Sequence, residues 1–146
     1  LFFFFLLEIG TEFDKYQSRI KRMAYVPRRE FYLNIAGVDI NLAPLEIGNP
    51  FCESKSELKF FEAGLLGVPT VATATRTFCE AISDGKDGFV AKDEIEWREK
   101  LEQLILSEEL RKSMGKKAKE KALKNYTVRN SQTEEYYQYL REVLQK

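Results

Sequence analysis

The chain has 146 residues, 44% of them hydrophobic and 32% charged, which is the composition of an ordinary globular domain with one core. Lys and Arg together number 23, as do Asp and Glu, so the net charge is zero and nothing in the overall charge indicates a nucleic acid as partner. The absence of histidine excludes a Ser-His-Asp or Cys-His centre and most transition-metal sites built from this chain alone.

The two cysteines, Cys52 and Cys79, have neither metal-ligand spacing nor a visible reason to pair. Reduced thiols are typical of cytoplasmic proteins, and the cytoplasmic face of a membrane is equally compatible with them. We therefore predict a cytoplasmic location and no metal site.

The first predicted element is a buried strand at Leu1–Ile9, which includes the apolar run LFFFFLL. This run has no basic flank and is far shorter than the ~20 residues that span a bilayer, so it is unlike a signal or membrane segment. It begins without a start methionine, and we expect the chain to be the C-terminal part of a larger protein.

Strands alternate with helices in the stretch that follows. Hydrophobic periodicity and the intervening Gly and Pro residues give the boundaries. The predicted elements are a polar passage at 10–18 with one or two helical turns, a strand at 20–26, a helix at 28–36, a strand at 38–43, a loop at 45–55, a helix from 56 to about 66, a strand through 71, a short helix at 77–83, a turn at 84–88 and a strand at 89–91.

No strand pattern occurs from Glu94 onward, where three helices are predicted. Ser107 and Thr127 are the predicted N-caps of the second and third. The first helix has an apolar stripe made of Trp97, Leu101, Leu104 and Ile105.

Strands that alternate with helices indicate βαβ units and therefore a parallel sheet with right-handed crossovers. We predict an α/β fold in which a Rossmann-like, doubly wound parallel sheet is flanked by helices. The chain is expected to form a single domain over 1–146, with a helical C-terminal region at 94–146.

The predicted helix at 56–66 contains a conflict between pattern and residue. At ~100° per residue, Glu62 falls in the middle of its apolar face, where a carboxylate is costly unless it is hydrogen-bonded. The apolar residues of that face are Leu58, Phe61, Leu65 and Leu66.

In a doubly wound sheet, ligands bind beyond the carboxyl ends of the strands. The loops that leave strands in that direction are Pro27–Arg29, Pro44–Lys55 and Ala74–Phe78. The second leads to a helix N-terminus at Ser56, where N–H groups and the helix dipole favour a phosphate. An inward Glu62 could accept two hydrogen bonds from a ribose.

A second explanation of Glu62 is an internal ion pair with Arg76 or Lys59. The residue pattern alone favours neither the ribose nor the ion pair.

The run SKSELKFFEAGLLGVPTVAT at Ser54–Thr73 resembles the donor-binding motif of retaining GT-B glycosyltransferases of family 4, also called group 1. That motif is commonly E-x-F-G-L-x-x-x-E-A-x-A-x-G-x-P-V-V-A. Weaker similarity extends to Val26–Glu30, Asp39–Leu45 and Glu80–Ala91, so that the resemblance covers nearly the whole chain.

The resemblance implies a role for several residues. Glu62 matches the glutamate that holds the ribose hydroxyls of the nucleotide. Three consecutive positions match those whose backbone amides meet the donor diphosphate, and three others match a loop that lies against the base. The first set is Ser56, Glu57 and Leu58, and the second is Val26, Pro27 and Arg28.

The chain departs from the family pattern at two points. The first glutamate of the motif, which contacts the donor sugar, falls on Ser54, while Glu53 is one residue out of register. The family's basic Arg/Lys pair, which stabilises the leaving diphosphate, is expected in a segment before Leu1, as is the acceptor-binding N-terminal domain.

The resemblance implies the nucleotide-sugar-binding C-terminal domain of a retaining hexosyltransferase-type enzyme that acts on a saccharide or lipid-linked acceptor in polysaccharide biosynthesis. No metal or other cofactor is expected, and this piece alone should be inactive. The full-length protein could associate peripherally with a membrane. The alternative is a non-catalytic interaction or scaffold module with the same fold, which the Ser54 departure favours.

Overall fold

The structure is a computed structural model that describes residues 3–5, 11–22, 25–127 and 134–144. The chain divides into two compact units, Leu1–Leu33 and Asn34–Lys146. In the first unit, strand β1 (Phe3–Phe5) pairs in parallel with β2 (Ile20–Arg22). A 3₁₀ helix at Thr11–Arg19 lies between them in the chain.

The strands predicted for the first unit are only partly confirmed. β1 lies inside the predicted strand Leu1–Ile9, whose other residues are outside the described ones. The predicted strand at 20–26 is too long, because β2 is described at Ile20–Arg22 and the chain at Tyr25 and Val26 is not in a strand. Residues 23 and 24 lie outside the described ones. Tyr25 is 97% exposed, so its side chain is not part of the buried strand face that the sequence pattern predicted. Helix α1 (Arg28–Ala36) has its predicted bounds.

The second unit contains a parallel three-stranded sheet. Its strands are β3 (Asn41–Ala43), β4 (Thr70–Thr73) and β5 (Phe89–Ala91), in that order across the sheet. Val71 and Ala72 are consecutive in β4, so their side chains point to opposite faces. Each face therefore belongs to a separate hydrophobic cluster.

Helices cover both faces of this sheet. One face packs against α3 and α4 through Phe60 and Phe78, and the other packs against α5 and α6 through Leu104 and Met114. The helices after α1 are α2 (Pro50–Glu53), α3 (Leu58–Leu65), α4 (Arg76–Ala81), α5 (Glu94–Leu106), α6 (Glu108–Asn125) and α7 (Glu134–Leu144). The predicted α/β fold, with a parallel sheet between helices, is confirmed.

Helix α3 ends in a glycine turn that receives α6. The N–H of Gly67 donates to Gly64 and the N–H of Val68 to Ala63, the pair of bonds of a Schellman motif. Gly67 has φ +78°, which favours glycine. A side chain at Gly115 of α6 would overlap the carbonyl oxygen of Gly67, so the helix and the turn are in backbone contact.

The apolar face predicted for α3 is wrong. The structure buries Phe60, Ala63 and Gly64, while Leu58 is 43% exposed and Glu62 is partly buried. The reason is that α3 packs against α6 as well as the sheet, which rotates its buried side away from the stripe that a single apolar neighbour would select.

The predicted features of the C-terminal helices are mostly confirmed. Ser107 caps α6 by accepting from the N–H of Leu110 at 3.1 Å. Of the predicted stripe on α5, Ile105 is the exception, because it is 45% exposed. The cap predicted at Thr127 borders residues 128–133, which are outside the described ones, and the Thr127 hydroxyl donates to the carbonyl of Leu123.

Among the helices of the described ranges, none combines the length and the apolarity that crossing a membrane requires.

Candidate functional site

The predicted site lies where the chain leaves β3 and β4. The loop from Pro44 to Glu57, here called the β3–α3 loop, follows β3, and a two-residue link follows β4 before α4 begins. The Leu45 N–H donates to the Thr73 hydroxyl at 2.8 Å, so the carboxyl end of β4 holds the start of the β3–α3 loop. This is the end of the sheet at which a ligand is predicted.

Helix α3 begins at this loop with free backbone donors. Glu57 is its N-cap residue but makes no side-chain cap hydrogen bond. Within the described part of the chain, the N–H groups of Ser56, Glu57 and Leu58 have no protein acceptor, whereas those of Phe60 and Phe61 donate to the carbonyl of Glu57. Three consecutive N–H groups at a helix N-terminus are suited to an anion.

The side chain of Glu57 is engaged by the end of α6. The ring of Tyr126 stacks on Phe61, with centroids 4.6 Å apart and planes 14° apart. Partial burial, the charge of Glu57 and a hydrogen bond to the Glu57 carboxylate, together with the charge of Asp87, raise the pKa of Tyr126 to about 12. The Glu57 carboxylate therefore lies near the Tyr126 hydroxyl, and it does not cap its own helix.

Glu62 lies four residues after Leu58, which is about 6 Å along the helix axis at 1.5 Å per residue. Its side chain is partly buried. Arg76, one of the two alternative ion-pair partners, has its guanidinium 3.9 Å from Glu80, and both of those side chains are mostly exposed. Lys59, the other, is exposed. The ribose and the ion pair both stay predictions.

Glu53 and Ser54, the two candidates for a sugar contact, are hydrogen-bonded within the protein. The Glu53 carboxylate accepts from the N–H of Gly48 at 3.2 Å through one oxygen and from the N–H of Arg76 at 3.3 Å through the other. The Ser54 hydroxyl donates to the carbonyl of Phe51 at 2.9 Å.

Glu53 ends a short helix that the sequence analysis described as loop. Asn49 caps α2 by accepting from the N–H of Phe51 at 3.0 Å, and Pro50 occupies the first helical position. An N-cap residue followed by proline is a recognised helix start, so the signal was present in the sequence.

A contact between the β3–α3 loop and α4 went unrecognised in the sequence. The Thr77 hydroxyl donates to the carbonyl of Lys55 at 2.8 Å, and the hydroxyl of Thr75 lies 3.4 Å from that of Thr77. The two ends of the Lys55 bond are 22 residues apart, and no local pattern predicts it.

The predicted base-binding residues belong to the first unit. Val26 is partly buried, while Pro27 and Arg28 are exposed. The Arg28 guanidinium donates to the Tyr32 hydroxyl at 3.1 and 3.2 Å and lies 5.6 Å from the centre of its ring. The carbonyl of Pro27 accepts from the N–H of Phe31, and α1 begins at Arg28.

A depression in the described part of the second unit lies elsewhere, at the amino ends of β3 and β4. It is open, has a volume of about 360 Å³ and is lined by Val38, Asp39, Gly67, Val68, Pro69, Glu108, Arg111 and Lys112. Its charges are internally paired, with Arg111 3.7 Å from Asp39 and Lys112 2.6 Å from Glu108. Both basic side chains that line this depression are therefore paired with carboxylates, and the depression is a poorer candidate for a phosphate site than the carboxyl ends of the strands.

Solved structures of other proteins share this fold, and two of them are representative. One is the C-terminal domain of a glycosyl transferase group 1 family protein (LpcC) from Francisella tularensis, with TM-score 0.59, 19% identity and coverage of 81% of this chain and 64% of that one. The other is sucrose-phosphate synthase from Thermosynechococcus elongatus, with TM-score 0.69, 14% identity and coverage of 90% and 33%. This chain thus spans less than two thirds of either.

No curated protein sequence matches the chain. The family model described as glycosyl transferase-like matches residues 7–135, which is most of its length. The fold agrees with that match, because the similar structures include a group 1 C-terminal domain. The chain belongs to the glycosyl transferase-like family.

Proposed function

We propose that the chain is the nucleotide-sugar-binding domain of a retaining glycosyltransferase. The enzyme would transfer a hexose from a nucleoside diphosphate sugar to a saccharide or lipid-linked acceptor. The observation that carries the proposal is the row of free N–H groups at Ser56, Glu57 and Leu58, at the start of α3 and on the carboxyl side of β3.

These N–H groups suit the chemistry of the donor. When the bond between the anomeric carbon and the diphosphate breaks, negative charge accumulates on the leaving diphosphate. Fixed N–H donors and the positive end of the α3 dipole stabilise that charge without needing to reorient. The proposal requires no metal ion, because backbone amides and the basic side chains expected before Leu1 would supply the positive potential.

Glu62 would hold the nucleotide by its ribose. One turn of helix separates it from the proposed diphosphate site, and in a nucleoside diphosphate the ribose is bonded directly to the α-phosphate. A carboxylate accepts from both hydroxyls of a diol, and bonds to a charged acceptor are among the stronger ones in proteins. A separate domain would bind the acceptor.

The alternative is a non-catalytic module of the same fold. The observation that favours it is the state of the first motif position, where Ser54 and Glu53 are both bound to backbone groups of this chain. Such a module would have no need for a carboxylate directed at a donor sugar.

Calorimetric titration of the full-length protein with UDP, GDP and ADP tests the proposal. We expect one of them to bind, and we expect Glu62→Ala to weaken that binding at least tenfold, since two hydrogen bonds to a carboxylate are lost. Glu120→Ala, an exposed substitution on α6, is the matched control and should bind like the wild type.

Two outcomes would contradict the proposal. One is that none of the three nucleotides binds, which would favour the non-catalytic module. The other is that Glu62→Ala binds nucleotide normally but unfolds more easily, to the same degree as Arg76→Ala or Lys59→Ala. That result would identify Glu62 as part of an internal ion pair.

A further inference from the structure

Two side-chain hydrogen bonds join the β3–α3 loop to the start of α4. The Thr77 hydroxyl donates to the carbonyl of Lys55 at 2.8 Å, and the Glu53 carboxylate accepts from the N–H of Arg76 at 3.3 Å. We call these two bonds the loop brace. They hold the loop in register with the carboxyl end of β4 immediately before α3 begins.

The hydroxyl of Thr77 is itself held by a hydrogen bond from Thr75. A hydroxyl has one proton, and that of Thr77 is donated to Lys55, so the contact of 3.4 Å between the two threonines has Thr75 as donor. Thr75 is fully buried, and its N–H donates to the carbonyl of Thr73 at 2.7 Å. The bond to Lys55 therefore starts from a rigid part of the core.

The position of the Lys55 carbonyl determines the direction of the Ser56 N–H, which is one of the hydrogen-bond donors proposed to bind the diphosphate. The C=O of Lys55 and the N–H of Ser56 belong to the same peptide group, which is planar and trans. Fixing the carbonyl by hydrogen bonding to Thr77 therefore fixes the orientation of the Ser56 N–H. That N–H is the first of the three free donors at the start of α3.

We propose that Thr77 is a positioning residue for the donor diphosphate, acting through the peptide group between Lys55 and Ser56. Glu53 also positions the loop, because its two carboxylate oxygens accept hydrogen bonds from the N–H groups of Gly48 and Arg76. This inference rests on the proposed function, since it assigns a purpose to the geometry of that site.

Thr77→Val tests the inference, because valine keeps the shape and removes the hydroxyl. For the nucleoside diphosphate that the full-length wild type binds among UDP, GDP and ADP, we expect Kd to rise about fivefold to tenfold, the effect of one hydrogen bond. The affinity for the matching nucleoside, measured by ligand-observed NMR, should stay within twofold. Thr77→Ser keeps the hydroxyl and should restore diphosphate binding.

Each contrary result has a definite meaning. If wild-type protein binds none of the three diphosphates, the proposed function fails and this inference with it. If the wild type binds but Thr77→Val binds equally well, only the positioning role is overturned. An equal loss of nucleoside and diphosphate affinity, or a failure of Thr77→Ser to restore binding, would show a general structural role and would also overturn it.

Glu53→Ala separates positioning from a direct sugar contact. The brace predicts weaker binding of the nucleoside diphosphate even though this ligand lacks the donor sugar. A residue that contacts only the sugar would weaken binding of the nucleotide sugar and leave the diphosphate affinity unchanged, which would overturn the part assigned to Glu53.

Discussion

The ammonium group of Lys121 lies 2.9 Å from a carboxylate oxygen of Asp87, and this ion pair ties α6 to the turn before β5. The Asp87 side chain is only 6% exposed and that of Lys121 is 23% exposed. The other Asp87 oxygen accepts from the N–H of Ser83 at 2.8 Å, and Lys121 also donates to the Ser83 hydroxyl. The turn is therefore stabilised by hydrogen bonds and an ion pair to the largely buried carboxylate of Asp87.

Lys121→Met should lower the free energy of unfolding by about 3 kcal/mol, because it leaves the Asp87 carboxylate buried without a counter-charge. Urea unfolding followed by circular dichroism measures this. Lys119→Met, an exposed lysine two residues earlier, is the control and should change stability by less than about 0.5 kcal/mol. Equal stability of the two variants would show that the ion pair contributes nothing.

Gly115→Ala should destabilise the protein by about 3 kcal/mol, because the added methyl group overlaps the Gly67 carbonyl oxygen and must push α6 away from the α3 turn. Thermal and urea unfolding would both record the loss. Ser113→Ala adds no atoms at an exposed position of the same helix and should be nearly neutral. A Gly115→Ala variant as stable as wild type would contradict the observed backbone contact.

Tyr126 should make the protein less stable as the pH rises above 10. Its pKa is raised from 10.0 to about 12 in the folded state, so between these values the unfolded chain loses the phenolic proton while the folded chain keeps it. The stabilisation is complete below pH 10 and is lost towards pH 12.

Unfolding free energies between pH 8 and 11 test this expectation. Tyr126→Phe should fall less steeply with pH than the wild type, whereas Tyr139→Phe, which changes a side chain that is 63% exposed, should follow the wild-type slope. Parallel curves for wild type and Tyr126→Phe would contradict it.

Sugar transfer by the full-length enzyme should be unaffected by EDTA, because the proposed stabilisation of the leaving diphosphate uses N–H groups and basic side chains. Initial rates with and without chelator, and with Mg²⁺ restored, would measure this. A loss of activity that Mg²⁺ reverses would mean that a metal ion has a role in the proposed reaction.

The elements that the sequence predicted best are those bounded by a proline or a glycine. α1 lies between Pro27 and Gly37, and β5 follows Gly88, and both have the predicted bounds. The Ser107 cap likewise depends on one side chain and its neighbouring N–H groups. These features depend on a few adjacent residues, so local pattern was sufficient.

The failures have non-local causes. The buried face of α3 depends on α6, which follows about fifty residues later, and Gly64 is buried because the Ala118 backbone lies against it. Glu62 was consequently predicted at the centre of the buried face, whereas Phe60, Ala63 and Gly64 are buried on the other side of the helix. The Thr77–Lys55 hydrogen bond joins residues from two loops and has no sequence signature. Only α2 was missed despite a local signal, the Asn49–Pro50 pair.

The loop brace has a consequence for how the site can diversify. At Lys55 and Arg76 it engages the peptide backbone and not the side chains. Both side chains can therefore be exchanged without removing a brace hydrogen bond. Under the proposed function, Thr77 and Glu53 would preserve the geometry of the loop while the side chains at residues 55 and 76 change. A library randomised at these two residues would therefore test whether the donor preference can be altered without loss of the brace.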